Sequence, residues 1–391
     1  MEGDFIKIND WLLPLSWIYG AGVRLRNQMF EMGMLKSRSF DIPVISVGNI
    51  TVGGSGKTPH VEYLINLLRD KVKVAVLSRG YKRKSKGYML ATADTPMSDI
   101  GDEPYQMKKK FADIYVAVDK DRCHGIDQLT TNEETSDTDV ILLDDAYQHR
   151  YVKPGVNILL VDYHRLIMYD KLLPAGRLRE PQKGKARADI VIVSKCPADL
   201  KPMEFRVITK AMNLFPYQKL YFTTLKYGSL RPIYGGEDRK LDTLTGDTSI
   251  LLLTGIASPQ QMIVDLKPYT ERITPLTFPD HHQYTDADID RINAEFEAMK
   301  GNDKMIVTTE KDNARLCGMD GLSDEVKKNI YVLPVEVGFM LDQEEDFNEN
   351  IIGYVRKNSR NSILAKAKDD NKSDNSDNSG NRTRTISFRN N

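Results

Sequence analysis

The stretch Val47-Gly48-Asn49-Ile50-Thr51-Val52-Gly53-Gly54-Ser55-Gly56-Lys57-Thr58-Pro59 decides how this chain is read. It follows the apolar run Ile42–Val47 and precedes a segment with Val61, Leu64, Ile65 and Leu68 on one helical face. Strand, glycine-rich loop and helix in that order are the setting a Walker A loop requires. Gly53, Gly54 and Gly56 let backbone N–H groups converge on phosphate oxygens, and the helix N-terminus adds partial positive charge. Lys57 is then expected to reach the β- and γ-phosphates, with the Thr58 hydroxyl on Mg²⁺. The strict pattern asks for Gly at position 51, where this chain has Thr51. A glycine-rich turn that merely contains Lys–Thr is the competing reading, and the flanking strand and helix argue against it.

Outward from the loop, short continuous apolar runs alternate with longer mixed segments: Val72–Leu77, Tyr115–Val118, Val140–Leu143, Val156–Val161 and Ile190–Val193. Runs that are apolar throughout are buried on both faces, which predicts a mostly parallel sheet flanked by helices. A second series follows a Gly- and Pro-bearing stretch around Gly228–Gly236, with Ile250–Leu253, Ile273–Phe278, Met305–Thr308 and Ile330–Val335. Strands near Leu220–Leu225 and Pro232–Tyr234 are expected to form the connection. The expected fold is α/β: a P-loop NTPase-type parallel sheet core (36–225), a second, smaller α/β domain (226–365) and an N-terminal helical segment (1–35). Residues 366–391, rich in Asn, Ser and Asp, read as a disordered polar tail.

Composition narrows the classes of function. The 55 basic and 55 acidic residues of this 391-residue chain cancel, which argues against a nucleic-acid coat. Cys123, Cys196 and Cys317 are scattered without a CxxC pair, which excludes a disulfide framework or cysteine zinc site. No run reaches the roughly 20 apolar residues a membrane span needs. Trp11 to Val23 is the longest candidate, with Trp11, Leu12, Leu15, Ile18, Tyr19 and Val23 at helical spacing. Both tryptophans of the chain, Trp11 and Trp17, sit in it. On composition alone an amphipathic helix packed on its own domain and one lying on a membrane surface are equally supported.

A Walker B partner is an apolar strand ending in a carboxylate, and Val140–Leu143 followed by Asp144 and Asp145 fits; either could hold Mg²⁺ directly or through water. A GTPase would carry Asn-Lys-x-Asp, but the nearest string, Ser194-Lys195-Cys196-Pro197, has Pro at the Asp position. Partitioning-type ATPases need a second lysine early in the loop, where Val52 stands. A phosphotransferase remains. Four further segments could meet its substrate or metal. Ser78–Lys84 is basic and follows a strand. Gly101-Asp102-Glu103-Pro104 offers two carboxylates, as an N-cap or as a base and a metal ligand. Leu172–Pro181 carries paired arginines that could clamp a phosphate or carboxylate. Phe278-Pro279-Asp280-His281-His282 brings a histidine that could orient a carboxylate.

Taken together, LPLSW, VGNITVGGSGKTP, SRGY, GDEP, DDAYQHR, LLPAGRLREP, FPDHHQY and TTEKDNARL, in this order, resemble the tetraacyldisaccharide 4′-kinase family over about residues 10 to 360. The resemblance implies transfer of the ATP γ-phosphate to the 4′-hydroxyl of a lipid A disaccharide 1-phosphate at the cytoplasmic face of the bacterial inner membrane. It implies a peripheral, membrane-associated helix and two α/β domains facing one another, with no nucleic acid and no obligate protein partner. By the same resemblance Thr51, Val52, Gly53, Gly54, Ser55, Gly56, Lys57 and Thr58 bind ATP. Asp102 and His281 match the catalytic carboxylate and histidine, while Asp144, Asp145 and Glu103 join Thr58 in the Mg²⁺ shell. Arg79, Tyr81, Arg177, Arg179 and Glu180 are the expected substrate contacts. Two departures stand out. The family's DDG reads Asp144-Asp145-Ala146, which predicts a backbone that needs no positive φ there. Lys82-Arg83-Lys84 replaces a more glycine-rich sequence. A membrane-associated P-loop ATPase switch is the alternative, and it would need no base for a sugar hydroxyl.

Overall fold

The computed structural model describes residues 8–256, 259–280, 282–316 and 319–359. Its strands are β1 Val44–Gly48, β2 Val74–Ser78, β3 Met89–Leu90, β4 Tyr115–Val118, β5 Val140–Asp144, β6 Val156–Asp162, β7 Ile190–Ser194, β8 Lys219–Tyr227, β9 Arg231–Pro232, β10 Ser249–Thr254, β11 Ile273–Thr277, β12 Lys304–Thr309, β13 Ile330–Leu333 and β14 Val335–Phe339. They form a nine-stranded sheet, order β14-β8-β7-β6-β1-β5-β2-β4-β3, and a five-stranded sheet, order β11-β10-β12-β13-β9. Within the first, β1 runs parallel to both β5 and β6, with Val47 opposite Asp144 and Ile158. β1, β2, β5 and β7 are buried along their whole length, which matches their largely apolar sequences.

The apolar run Ile330–Val335 is divided between the two sheets. Pro334, which has no N–H to give a ladder, separates β13 of the second sheet from β14, which pairs antiparallel with β8 of the first. The helix Glu344–Asn358 then lays Phe347, Ile351 and Val355 into the core built on Ile45, Val47 and Leu64. A second domain running from 226 to 365 is therefore not what the chain forms. The smaller lobe ends at Leu333, because the apolar face of the last helix is buried on the first lobe. The predicted tail, 366–391, lies outside the described residues.

At the other end, the helix Leu13–Glu31 extends well past the predicted Val23. It buries Ser16, Gly20 and, near its end, Phe30: the Ser16 hydroxyl donates to the Leu172 carbonyl at 3.0 Å, and a Cβ on Gly20 would meet Leu172 at 2.7 Å. Trp11, Trp17 and Ile18 face outward, 82%, 70% and 71% exposed. No helix among the described residues is long and apolar enough to cross a membrane.

Candidate active site

The loop between β1 and the helix Lys57–Leu68 sits at the carboxyl edge of the sheet, where β1 is flanked by strands on either side, the edge where open α/β sheets bind ligands. Gly53 and Gly56 take φ of +116° and +78°, which explains glycine at both. The loop is braced from four directions. Inside it, the Asn49 amide donates to the Ser55 hydroxyl at 2.8 Å. From the segment 172–181, the Arg177 carbonyl accepts from the Val52 amide at 2.8 Å, and the Arg179 amide donates to the Ile50 carbonyl at 2.7 Å. From β7, the Ser194 hydroxyl donates to the Ser55 carbonyl at 2.9 Å, and Lys195 reaches both the Gly54 carbonyl and the Asp162 carboxylate. His60, buried in the following helix, bonds the Gly56 carbonyl at 2.7 Å and the Thr223 hydroxyl at 3.0 Å. Burial pushes its pKa down to about 4, so the ring is neutral.

Asp144 and Asp145 end β5 beside the loop, as expected. Lys57 Nζ is 3.6 Å from Asp145, and Arg179 approaches the same carboxylate at 3.4 Å. Burial acts to raise the Asp145 pKa, but Lys57 and Arg179 outweigh it and the pKa is lowered. Asp144 goes the other way: burial, then Glu103 and Asp145, push it up. Its Oδ2 accepts from Ser78 at 3.3 Å, while Oδ1 is buried with no hydrogen-bond partner among the described residues. Ala146 has no positive φ, in line with the sequence, but Asp145 itself does, at +46°. The strained residue is the one that meets Lys57.

Across the cleft, the second lobe faces the GDEP turn. Asp102, largely buried, opens the helix Asp102–Lys110. Arg315 donates to its Oδ2 at 2.5 Å and to Asp312 at 3.1 Å, and its side chain is 2% exposed. Lys311 lies 3.4 Å from Glu103, 3.8 Å from Asp102 and 3.6 Å from Asp280. Both cations come from the helix Glu310–Leu316, inside TTEKDNARL. Lys110 adds an ion pair between lobes, to Glu310 at 2.8 Å, and one within the first lobe, to Glu62 at 2.6 Å. Gly56, Lys57, Thr58, Glu103, Asp280 and Lys311 line one cavity of about 220 Å³ between the lobes.

Of the other predicted residues, His281 lies outside the described residues. Its neighbour His282 stacks on Phe278 and bonds Asp288 at 2.9 Å, a capping role. Arg79, Tyr81 and Arg177 are exposed on loops of the first lobe. Glu180 is 2% exposed and paired with Arg187 at 2.8 Å. Arg83, from the basic run, is spent on the Gly87 and Val118 carbonyls. Four residues that the sequence reading did not assign belong here: Asp162, Lys195, Lys311 and Arg315. Asp162 and Lys195 stand at strand ends on the same sheet edge, a signal that was available. Lys311 and Arg315 are at helical spacing, i and i+4, within a recognisable motif.

The fold and this cleft define a two-lobed α/β enzyme of nucleotide-dependent group transfer. The model of the tetraacyldisaccharide-1-P 4′-kinase family matches residues 8–356, and the chain belongs to that family. It is 61% identical to tetraacyldisaccharide 4′-kinase of Phocaeicola vulgatus over 363 residues, covering 93% of this chain and 99% of the relative. To the Bacteroides fragilis enzyme of the same name it is 54% identical, covering 95% and 100%. Among solved structures, LpxK of Aquifex aeolicus, in an "apo" form in complex with ATP, aligns with a TM-score of 0.67 at 31% identity, covering 88% of this chain and 98% of that one.

Proposed function

We infer that this chain is a kinase that moves the γ-phosphate of ATP to the 4′-hydroxyl of a tetraacyldisaccharide 1-phosphate in lipid A biosynthesis. The observation that carries the reading is the shared cleft: loop residues Lys57 and Thr58 face the Glu103 carboxylate next to Asp102 across a single cavity. An ATPase switch needs the first half of that arrangement and has no use for the second.

ATP phosphates are assigned to the loop Thr51–Thr58, with Lys57 and the backbone amides spreading the charge that develops on the β,γ-oxygens. The donors fit a hard divalent cation, since Asp144 Oδ1 is buried with no hydrogen-bond partner among the described residues, and burial followed by neighbouring carboxylates raises the pKa of Asp144. Thr58, Asp144, Asp145 and Glu103 would hold Mg²⁺, which when bound supplies positive charge to the transferring phosphoryl group. Asp102 is the base for the acceptor hydroxyl, with His281 assigned to orient it. A carboxylate is a weak base for an alcohol, which suffices because the transition state is largely dissociative. Arg79, Tyr81, Arg177 and Arg179 are assigned to the anionic acceptor and donor.

The acceptor is a lipid, and the exposed tryptophans of the N-terminal helix suit an interface where apolar surface meets headgroups. We place the enzyme as a peripheral protein on the cytoplasmic face of the inner membrane. The test is ADP release with and without the tetraacyl disaccharide 1-phosphate in detergent micelles. ADP release that depends on the acceptor supports the kinase; equal release in both favours the switch.

A further inference from the structure

The N-terminal helix is not the sole exposed apolar feature among the described residues. Just past the helix Pro202–Met212, Phe215 and Tyr217 are 48% and 60% exposed, and their rings are stacked 5.5 Å apart with planes 8° from parallel. The Tyr217 hydroxyl donates to the Ala186 carbonyl at 2.8 Å. Ala186 in turn lines a groove of about 720 Å³ between the helix Leu13–Glu31 and residues 170–187, and Trp17 lines the same groove. The aromatic pair is thus fastened to one wall of a groove whose other wall carries the tryptophan.

The groove's charge is predominantly positive. Arg24, Lys171 and Lys183 line it against Glu31, while the other two charged lining residues are already paired, Asp170 with Arg165 at 2.7 Å and Arg187 with Glu180 at 2.8 Å. Aromatic side chains with basic neighbours partition to the headgroup region of anionic bilayers.

We propose that Phe215 and Tyr217 form a second membrane anchor, entering the interface of an anionic bilayer beside the Trp11–Trp17 helix. The proposal rests on the reading of that helix as a membrane-surface element. Its consequence is orientation. A single helix lying on a bilayer can roll about its own axis, whereas a second contact away from that axis fixes how the rest of the protein sits over the lipid.

Trp11 and Trp17 are the two tryptophans of the chain, so Trp11→Phe/Trp17→Phe/Phe215→Trp carries one fluorophore, at the proposed anchor. The probe is vesicles of phosphatidylethanolamine and phosphatidylglycerol with brominated acyl chains, against the same lipids unbrominated. The proposal expects the emission of this variant to fall about two-fold in brominated vesicles. It also expects Phe215→Ser/Tyr217→Ser to lose about ten-fold in vesicle partitioning with unchanged circular dichroism. If the wild-type tryptophans are quenched and the Phe215→Trp variant is not, the second anchor is wrong and the helix reading stands. If neither is quenched, the helix reading fails and takes the proposal with it.

Discussion

Arg315, on the second lobe, donates to Asp102, on the first, at 2.5 Å, with both side chains nearly sealed from solvent. A buried charge pair spanning two lobes sets the position of the carboxylate assigned as base. Removing the cation leaves Asp102 and Asp312 without their shared partner. Arg315→Ala is expected to lower unfolding free energy by about 3 kcal/mol, read by urea denaturation. Turnover should fall with it, and Arg315→Lys should restore part of the turnover. Combined with Asp102→Asn, the two losses should be clearly less than additive. Additive losses would mean that the two residues act separately.

Lys57 touches Asp145 in this structure and is assigned to the phosphates in the working complex. Lys57→Ala is expected to slow phosphoryl transfer about 10²–10³-fold with circular dichroism unchanged. Near-normal turnover would remove it from the reaction.

Asp144 is a case where function and stability pull apart. Its carboxylate is buried against Glu103 and Asp145, which raises its pKa, so carrying the charge costs the fold stability. Asp144→Asn should raise Tm by roughly 2–4 °C, about the shift that 1 kcal/mol gives a large domain. The same variant should lose at least about 100-fold in activity. A Tm that falls would show that the charge is compensated.

His60 gives the fold a pH dependence of calculable sign. Its pKa is about 4 when folded against 6.5 when free, so between those values the unfolded chain binds the extra proton. Stability therefore rises with pH across that window and is lost as pH falls. From pH 7 to pH 5 the single group costs about 2 kcal/mol. Urea midpoints at the two pH values should differ more for the wild type than for His60→Gln.

Much of the fold was legible because the sheet is buried on both faces, which leaves unbroken apolar runs in the sequence. The phosphate loop was legible for a different reason: Gly53 and Gly56 are required by local backbone geometry, and local requirements leave local traces. What escaped was long-range. Nothing in Ile330–Val335 says that Pro334 divides it between two sheets. The apolar stripe Phe347, Ile351, Val355 predicts a buried helix without saying which lobe buries it. Arg315 and Asp102 are 213 positions apart, so no spacing rule connects them. Glu180, expected among the substrate contacts by family resemblance, is paired with Arg187 further along the chain, a contact that no local spacing announces.

The central claim is that the terminal phosphate of ATP ends on a sugar hydroxyl of the lipid. The direct measurement is ³¹P NMR with mass spectrometry of the lipid recovered after incubation with ATP and tetraacyldisaccharide 1-phosphate. The account predicts a bisphosphorylated lipid, with the new phosphomonoester at the 4′ position and no such product from Lys57→Ala. Lipid recovered with its single phosphate, while ATP has gone to ADP and inorganic phosphate, would contradict it.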